Sequence, residues 1–404
     1  MNEKGAHVAD EETPLKEDVI ESAAIAILRD LVGFNTTSRL SNLELIRYVE
    51  DYLADYGVQS TLVYDESGKK ANLYATIGPD DKGGVMLSGH TDIVPVEGQY
   101  WASDPFVLNH NEEKLFGRGS ADMKGFIACV LDRVPKMVKA DLLTPIHIAL
   151  SYDEEVGCIG VRRLLDLMED MPVAPSMAII GEPTNMEVVV GHKGKRAIKV
   201  VVHGMSSHSA YPNDGVNAIE YAAQLISHIG SVQKRLSKEG PFDEGYRVPY
   251  TTLHVGTIQG GTALNIVPNQ CFFDFEVRYI PEQDSDLLID SIRRYAEDKL
   301  ESVMRLGSSN AGIDFDDMFG YPSLFTPTSA PIVTFVLSLL KGSREVQKIS
   351  FGSEAGLFSS LLGIPSVVCG PGSIQQAHRP DEYVSVEQLS MCSTMLDHLV
   401  ESLT

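Results

Sequence analysis

Apolar and polar positions along the first part of the chain predict helices and buried strands in alternation. The segment 42–56 is typical of a helix, and short apolar runs near 84–89, 146–151 and 177–181 are typical of buried strands. Strands that alternate with helices usually form an open sheet covered by helices. We therefore expect residues 17–192 to form the first part of an α/β catalytic domain, with a mixed central sheet flanked by helices.

The pattern changes at Lys195, where a compact α+β insertion is predicted. Its elements are a strand at 196–204, a helix at 215–236, strands near 250–258 and 271–279, and a charged helix at 283–305. The chain then returns with helices near 330–341 and 354–361, a strand at 365–369 and a final amphipathic helix from 386. We place the catalytic domain at 1–192 and 312–404 and an inserted lid or dimerisation domain at 193–311.

Five short polar motifs lie at the edges of apolar runs, and each offers an imidazole or a carboxylate. They are His90 in SGHTD, Asp122 in GRGSADMKG, Glu155 in SYDEEVG, Glu182 in IIGEPT and His378 in QQAHRPDEY. Such groups hold two divalent cations well when one carboxylate is shared and a water lies between the ions. The set therefore predicts a two-metal hydrolase, with Asp122 as the shared ligand.

Each motif taken alone also fits a simpler role. His90 lies at a strand end, which is compatible with an ordinary core or surface histidine. Asp122 precedes the apolar run FIACVLDRV, which is compatible with a helix N-cap. Asp92 lies two residues after His90, on the same side of an extended chain. Its carboxylate is placed to hold the far imidazole nitrogen, as carboxylates behind metal-bound histidines commonly do.

Three consecutive acids, Asp153, Glu154 and Glu155, follow the apolar run 146–151. They repel one another unless cations neutralise them, although a solvated acidic turn is an alternative. Adjacent side chains on an extended segment point in opposite directions, so Glu154 and Glu155 are expected to differ in role. We assign Glu155 to the metal and Glu154 to the proton, as the general base.

Together and in this order, the five motifs resemble the dizinc aminoacylase and glutamate carboxypeptidase superfamily of metallopeptidases, from about Ile25 to Leu403. The resemblance implies two zinc ions per chain, for which cobalt is able to substitute. It implies one site completed by His90 and Glu182, another completed by Glu155 and His378, and Asp122 as the bridge. It also implies a cis peptide bond between Asp122 and Met123.

Further residues are expected to contact the substrate. His208 lies among hydroxyl-bearing and small residues, where an imidazole either donates to a developing oxyanion or caps the next helix. The resemblance implies that the partner subunit's lid supplies this histidine, and that Asn265 and Arg278 bind the substrate carboxylate. An ion pair within the lid is the alternative for Arg278. The backbone around Ser353 and Gly372 is expected to approach the substrate from the other side.

The segment AHRPDEY at 377–383 is most similar to superfamily members that hydrolyse N-acetylornithine to acetate and ornithine in arginine biosynthesis. Members that remove the succinyl group from succinyl-diaminopimelate share the ligand set but need an extra cationic contact. A broader N-acyl-amino-acid deacylase is a further alternative. A non-catalytic binding relative should have lost a ligand or the base, and none is missing here.

Composition restricts the partners and the compartment. At 404 residues the chain is long for one core, and its net charge of −23 argues against nucleic acids and anionic membranes as partners. The N-terminus at 1–16 lacks an apolar core of the signal-peptide kind and is expected to be a mobile polar tail. Five cysteines without a pairing pattern indicate reduced thiols in the cytoplasm. The exposed strand edge expected of the lid indicates a homodimer formed through it.

Overall fold

The computed structural model describes residues 22–342 and 345–404. The tail expected at 1–16 lies outside the described residues. The helices are α1 Ala23–Gly33, α2 Leu43–Asp55, α3 Gly125–Lys139, α4 Val161–Glu169, α5 Ala218–Glu239, α6 Ser285–Tyr295, α7 Ser302–Gly307, α8 Pro331–Leu339, α9 Ala355–Leu362 and α10 Val386–Ser402. The strands are β1 Ser60–Tyr64, β2 Ala71–Ile77, β3 Val85–His90, β4 Asn109–Asn111, β5 Lys114–Phe116, β6 Ile146–Ser151, β7 Met177–Ile180, β8 Val189–His192, β9 Gly194–His203, β10 Thr252–Gly260, β11 Gln270–Tyr279, β12 Gly312–Tyr321, β13 Leu324–Phe325, β14 Gln347–Ile349, β15 Ser366–Val368 and β16 Tyr383–Ser385.

A nine-stranded mixed sheet forms the centre of the larger part, in the order β1-β2-β6-β3-β7-β15-β8-β13, with β14 also paired to β8. Strand β3 pairs in parallel with β6 and β7, whereas β2 and β6 are antiparallel. Apolar side chains of α1, α2, α3 and α10 pack against this sheet and bury its main core. The predicted α/β class, with a mixed sheet flanked by helices, is confirmed.

Three of the polar motifs lie at the carboxyl ends of the parallel strands β3, β6 and β7, at one edge of this sheet. In the register of β3 and β6, His90 lies opposite Ser151. The acidic run begins two residues after Ser151, at Asp153. Strand β7 ends at Ile180, two residues before Glu182. Because the carboxyl ends of parallel strands meet at the same edge, residues distant in sequence come together there.

A second, four-stranded antiparallel sheet has the order β10-β11-β9-β12. Helices α5 and α6 cover one face of it and enclose a separate hydrophobic core that includes Ile198, Phe273 and Leu225. Strand β12 pairs with β9 along its length, so the boundary predicted at 312 is wrong by one strand. Its segment, GIDFDDMFGY, has too many acidic residues to show as an apolar run, which hid the strand in the sequence.

All five cysteines are free and buried. Within residues 22–342 and 345–404, none of the helices combines the length and the apolar character that crossing a bilayer requires.

Candidate metal centre

Five side chains from separate motifs converge at the edge of the large sheet. His90 Nε2 lies 3.1 Å from one carboxylate oxygen of Asp122 and 3.9 Å from Glu182 Oε2. His378 Nε2 lies 3.3 Å from the other oxygen of Asp122 and 3.0 Å from Glu155. Asp122 thus presents one oxygen to each imidazole, which is the arrangement that a shared ligand between two ions requires.

Four of these side chains, together with Glu154, border a cavity of about 200 Å³ that opens to solvent. Asp122, Glu154, Glu155, Glu182 and His378 line it on the side of the large sheet, and Lys195, Arg278 and Tyr321 line it on the side of the second sheet. Ligand atoms of His90, Glu154 and Glu182 lie within 4.8 Å of one another, as do those of His90, Asp122 and Glu155. The two groups of possible metal ligands therefore share His90 and lie next to one cavity.

Burial and mutual repulsion set the pKa values of the acids. Burial, and then the charge of Asp122, raise the pKa of Glu182 well above its ordinary value and that of Glu155 to about 7. Burial also raises the pKa of Glu154 well above its ordinary value, and the charge of Glu155 adds to the effect. Hydrogen bonds to Asp122 and Glu155 raise the pKa of His378 to about 10. A protein without cations would hold these carboxylates at a considerable electrostatic cost.

The residues fit divalent cations. Glu182 Oε1 is buried and has no hydrogen-bond partner among the described residues, so one ligand atom is left for an ion. Imidazoles and carboxylates without thiolates are the ligands of catalytic zinc sites, whereas closed structural sites are rich in cysteine. The peptide bond between Asp122 and Met123 is cis, as the resemblance implies.

Asp92 supports more of the site than the sequence indicates. His90 Nδ1 donates to the backbone carbonyl of Asp92 at 2.9 Å, and the Asp92 carboxylate lies 3.5 Å from the same nitrogen. That carboxylate also accepts from the Ser38 hydroxyl and from the backbone N–H groups of Glu154 and Glu155, at 2.8, 3.1 and 3.3 Å. Asp92 therefore orients the imidazole mainly through its backbone, and uses its carboxylate to fix the loop that carries the two glutamates.

A buried ion pair beneath the centre was not predicted from the sequence. Arg118 and Glu382 are each about 1% exposed, and their side chains meet at 2.6 Å. The second oxygen of Glu382 accepts from the backbone N–H groups of Ala121 and Asp122. Both residues lie inside the motifs already singled out, GRGSADMKG and AHRPDEY, so the available signal was a pair of opposite charges in otherwise buried segments.

A second carboxylate lies behind the proposed general base. Glu354 is buried, accepts from the Ser151 hydroxyl at 2.5 Å, and has its other oxygen unpaired among the described residues. Burial raises its pKa to about 7. Cys158 is buried, and its thiol donates to Glu154 Oε1 at 3.4 Å. These groups restrict the space in which the Glu154 carboxylate can move.

The structure does not bring His208 or Asn265 to the cavity within one chain. Both residues are exposed, and His208 lies beyond the end of β9 that is remote from Lys195 and the cavity. There the backbone N–H of Ser209 donates to the carbonyl of Asn265 at 3.0 Å. The ring of His208 accepts from the backbone N–H of Ala210 at 3.0 Å, so it closes its own turn and does not cap helix α5. The residue that caps α5 is Asn217.

Of the three other residues expected near the substrate, only Arg278 lines the cavity. The Nε of Arg278 also pairs with Glu276 at 2.9 Å, so the ion pair weighed as its alternative role is present too. Ser353 is fully buried and its hydroxyl accepts from Ala355 N–H, which leaves Gly352 to line the cavity. The backbone N–H and carbonyl of Gly372 are hydrogen-bonded to Gln388 and Asn185. The backbone beside Ser353 thus lines the cavity as expected, whereas Ser353 and Gly372 themselves do not, and their contact with the substrate stays a prediction.

The chain belongs to peptidase family M20/M25/M40, whose model matches residues 86–402. Its fold is shared with an M20 family metallo-carboxypeptidase from Sulfolobus solfataricus, at a TM-score of 0.75, 18% identity and coverage of 94% of this chain and 98% of that one. It is also shared with a dinuclear metal binding peptidase of the M20 family from Bacillus subtilis, at a TM-score of 0.66, 17% identity and coverage of 94% and 97%. The class is therefore that of metal-dependent amidohydrolases.

More particular relatives are acetylornithine deacetylases. The one from Shigella sonnei (strain Ss046) is 35% identical over 345 residues, which cover 85% of this chain and 86% of the relative. The one from Pasteurella multocida (strain Pm70) is 32% identical over 363 residues, 89% of this chain and 91% of the relative. The similarity thus extends over most of this chain and most of each relative.

Proposed function

We propose that this protein hydrolyses N-acetylornithine to acetate and ornithine, as a cytoplasmic step of arginine biosynthesis. The observation that carries the proposal is the single cavity in which five imidazole and carboxylate donors face Arg278. An amide carbonyl held over the donors would leave the substrate carboxylate within reach of a guanidinium group, which binds carboxylates in bidentate fashion. The similarity to acetylornithine deacetylases supports the choice of the acyl group and of the amino acid.

Two zinc ions per chain are proposed as the cofactor, with cobalt able to substitute. His90 and Glu182 would hold one ion, Glu155 and His378 the other, and Asp122 both. When bound, the ions supply Lewis acidity toward the substrate carbonyl and lower the pKa of the attacking water. Because nitrogen and oxygen donors accept several first-row metals, the choice of ion depends on supply and geometry.

The chain's own residues perform the remaining steps. Glu154 takes a proton from the attacking water and passes it to the leaving amine. Burial is the first cause that raises the pKa of Glu154, and a carboxylate with a raised pKa takes up a proton more readily. Asp92 and Cys158 hold the Glu154 loop and carboxylate in place. Arg278 binds the substrate carboxylate and so orients the amide.

A homodimer formed through the second sheet is proposed to complete the site. The two edges of this sheet differ: β12 exposes Asp314, Asp316 and Asp317, whereas β10 carries no charged residue and exposes Ile258. Charges on an edge strand oppose pairing with another chain, and an uncharged edge permits it. A second copy is thus expected at β10, beside the exposed loop that carries His208 and Asn265. His208 would then reach the partner's cavity and donate to the developing oxyanion.

Removal of a succinyl group is the second candidate, because Lys195 provides the extra cation near the cavity that this activity needs. One experiment separates the candidates. Purified protein loaded with zinc or cobalt is assayed against N-acetyl and N-succinyl derivatives of ornithine, diaminopimelate and other amino acids. The proposal expects N-acetylornithine to have the highest kcat/KM among the N-acetyl substrates. A higher kcat/KM for an N-succinyl substrate would favour the second candidate, and no metal-dependent hydrolysis of N-acetylornithine would reject the proposal.

A further inference from the structure

Three residues from neighbouring strands form a row across the second sheet, at the end nearest the metal centre. Arg278 on β11 lies directly opposite Lys195 on β9, and Lys195 lies opposite Tyr321 on β12. All three line the same cavity as four of the five converging side chains, Asp122, Glu155, Glu182 and His378. The wall of the cavity that faces the metal donors therefore carries two cations side by side.

Like charges directly opposite each other on adjacent strands are destabilising. Glu276, two residues before Arg278 and on the same face, partly offsets the repulsion: its oxygens lie 2.9 Å from Arg278 Nε and 3.2 Å from Lys195 Nζ. One carboxylate between two cations leaves an excess of positive charge. Close by, burial and then the charge of Arg278 lower the pKa of Lys193 to about 8, which is a second sign of that excess.

The position of Lys195 is fixed in a way that suits binding. Its Nζ lies 5.0 Å from the centre of the Phe319 ring, a cation–π contact, in addition to the pair with Glu276. About 19% of its side chain is exposed, so the ammonium group is held yet remains accessible from the cavity. A lysine needed only for folding would not have to share one carboxylate with an arginine at a cavity wall.

We propose that Lys195 binds a second carboxylate of the substrate, and that the enzyme therefore also hydrolyses N-acyl amino acids that carry two carboxylates. This inference rests on the proposed function, in which Arg278 takes the first carboxylate. The second belongs either to the acyl group or to the amino-acid side chain. The reaction remains hydrolysis: the amide C–N bond breaks, water oxygen forms the new C–O bond, and the proton taken by Glu154 goes to the amine.

Pairs of substrates that differ only in charge test the inference. N-acetylglutamate is compared with N-acetylglutamine, and N-succinylornithine with its amide N-succinamoylornithine, on the zinc-loaded enzyme. In Lys195→Gln, the kcat/KM ratio of acid to neutral substrate should fall about 10- to 100-fold for one pair, because a charge-assisted hydrogen bond is lost. The pair that responds identifies which carboxylate Lys195 binds. Lys195→Arg should recover most of the ratio.

Controls separate binding from folding. Lys199→Gln removes a lysine four residues along the same strand, outside the cavity, and should change neither ratio. Lys195→Met, which keeps the stem that packs on Phe319, replaces Lys195→Gln if that variant unfolds. An equal loss on acid and neutral substrates, with both ratios unchanged, would overturn the inference and leave Lys195 a structural role.

Binding measurements keep the inference separate from the proposed function. Calorimetry on the zinc-loaded Glu154→Gln protein gives Kd values for the same four compounds without turnover. If the enzyme does not hydrolyse N-acetylornithine, the proposed function fails, and the binding ratios still decide the role of Lys195. If it hydrolyses the neutral substrates but neither turns over nor preferentially binds either acid, this inference alone fails.

Discussion

Glu382 accepts a hydrogen bond at 3.1 Å from the backbone N–H of Asp122, a residue 260 positions earlier in the chain. Its other oxygen is paired with Arg118, whose Nη2 donates to Gln99 at 2.6 Å. Gln99 in turn donates to the backbone carbonyl of His378 at 3.1 Å. One network, buried at Arg118 and Glu382 and exposed where Gln99 bonds His378, thus supports the backbone of two proposed metal ligands.

Glu382→Gln should destabilise the protein and weaken metal binding together. The amide would keep one acceptor for the Asp122 N–H but leave the buried Arg118 without its counter-charge, a loss of about 3–5 kcal/mol in the free energy of unfolding. Denaturant unfolding of the metal-free protein and zinc titration measure the two effects. A metal-free stability within 0.5 kcal/mol of the wild type, taken as about the usual surface effect, would contradict this account of the ion pair.

The double variant Arg118→Met, Glu382→Gln is the matched test of that reasoning. Removing both charges avoids an unpaired buried ion, so its metal-free stability should exceed that of Glu382→Gln alone. Zinc affinity should stay below that of the wild type, because the connection through Gln99 to His378 is still lost. Equal stability of the single and double variants would show that the buried charge is not the cause.

Replacing Glu154 by Gln tests the general base. The variant should keep close to two metal ions per chain, because Glu154 is not one of the proposed ligands. Turnover should fall by about two to four orders of magnitude, as expected for loss of general-base catalysis. Metal analysis of the purified protein is combined with steady-state kinetics. Loss of metal with unchanged turnover per bound ion would assign Glu154 to the coordination of metal instead.

Asp122→Ala should remove at least one metal ion and the stability that it confers. Ions that bind only the folded state stabilise it by linkage, so a chelator should lower the Tm of the wild type. The Tm of the variant should respond less, because less metal is bound to begin with. Metal content and thermal unfolding with and without chelator are measured together. Full occupancy in the variant would exclude Asp122 as the shared ligand.

Much of the large sheet and of the site could be predicted because strong local patterns encode them. Three predicted strands, near 84–89, 146–151 and 177–181, match β3, β6 and β7 closely, and parallel strand ends bring their motifs together. Strand β12 was missed because Asp314, Asp316 and Asp317 mask its alternation. The partnership of Arg118 with Glu382 depends on folding across the whole chain, which no local pattern reports.

Sequence proximity also could not show that Gly352, and not Ser353 or Gly372, lines the cavity. Ser353 and Gly372 are close in sequence to residues that line the cavity. Sequence proximity does not show which groups are already hydrogen-bonded within the fold. Ser353 bonds the first turn of α9, and Gly372 bonds Gln388 and Asn185. Lys195 was not singled out from the sequence as a binding residue, because its proposed role in substrate binding depends on the register of β9 with β11. That register places Lys195 opposite Arg278.

A buried histidine at the junction of the two sheets should make stability depend on pH. His192 Nε2 accepts a hydrogen bond from Gly356 N–H at 3.2 Å, while Nδ1 donates to the carbonyl of Lys193. This arrangement requires the neutral ring, and burial lowers the pKa of His192 to about 4. Between this value and the unfolded value of about 6.5 the unfolded chain binds more protons, so stability falls as the pH falls through that window.

The loss attributable to His192 should reach about 3 kcal/mol in the free energy of unfolding near pH 4. His192→Asn should be less stable at pH 7 but should show a smaller further loss between pH 6.5 and 4. The exposed His254, replaced in the same way, serves as the control and should leave the pH dependence unchanged. Unfolding is followed by denaturant titration of the metal-free protein. Parallel curves for wild type and His192→Asn would disprove the assignment.

Mixing two inactive variants tests whether His208 acts across a dimer. In a mixed dimer of His208→Ala with Glu154→Gln, one of the two sites receives Glu154 from its own chain and His208 from the other. With random exchange of subunits, roughly a quarter of the wild-type activity should return. Each variant alone is the control, and native mass spectrometry confirms that mixed dimers form. If they form and stay inactive, His208 does not reach the partner's cavity, and its exposed position beside Asn265 needs another explanation.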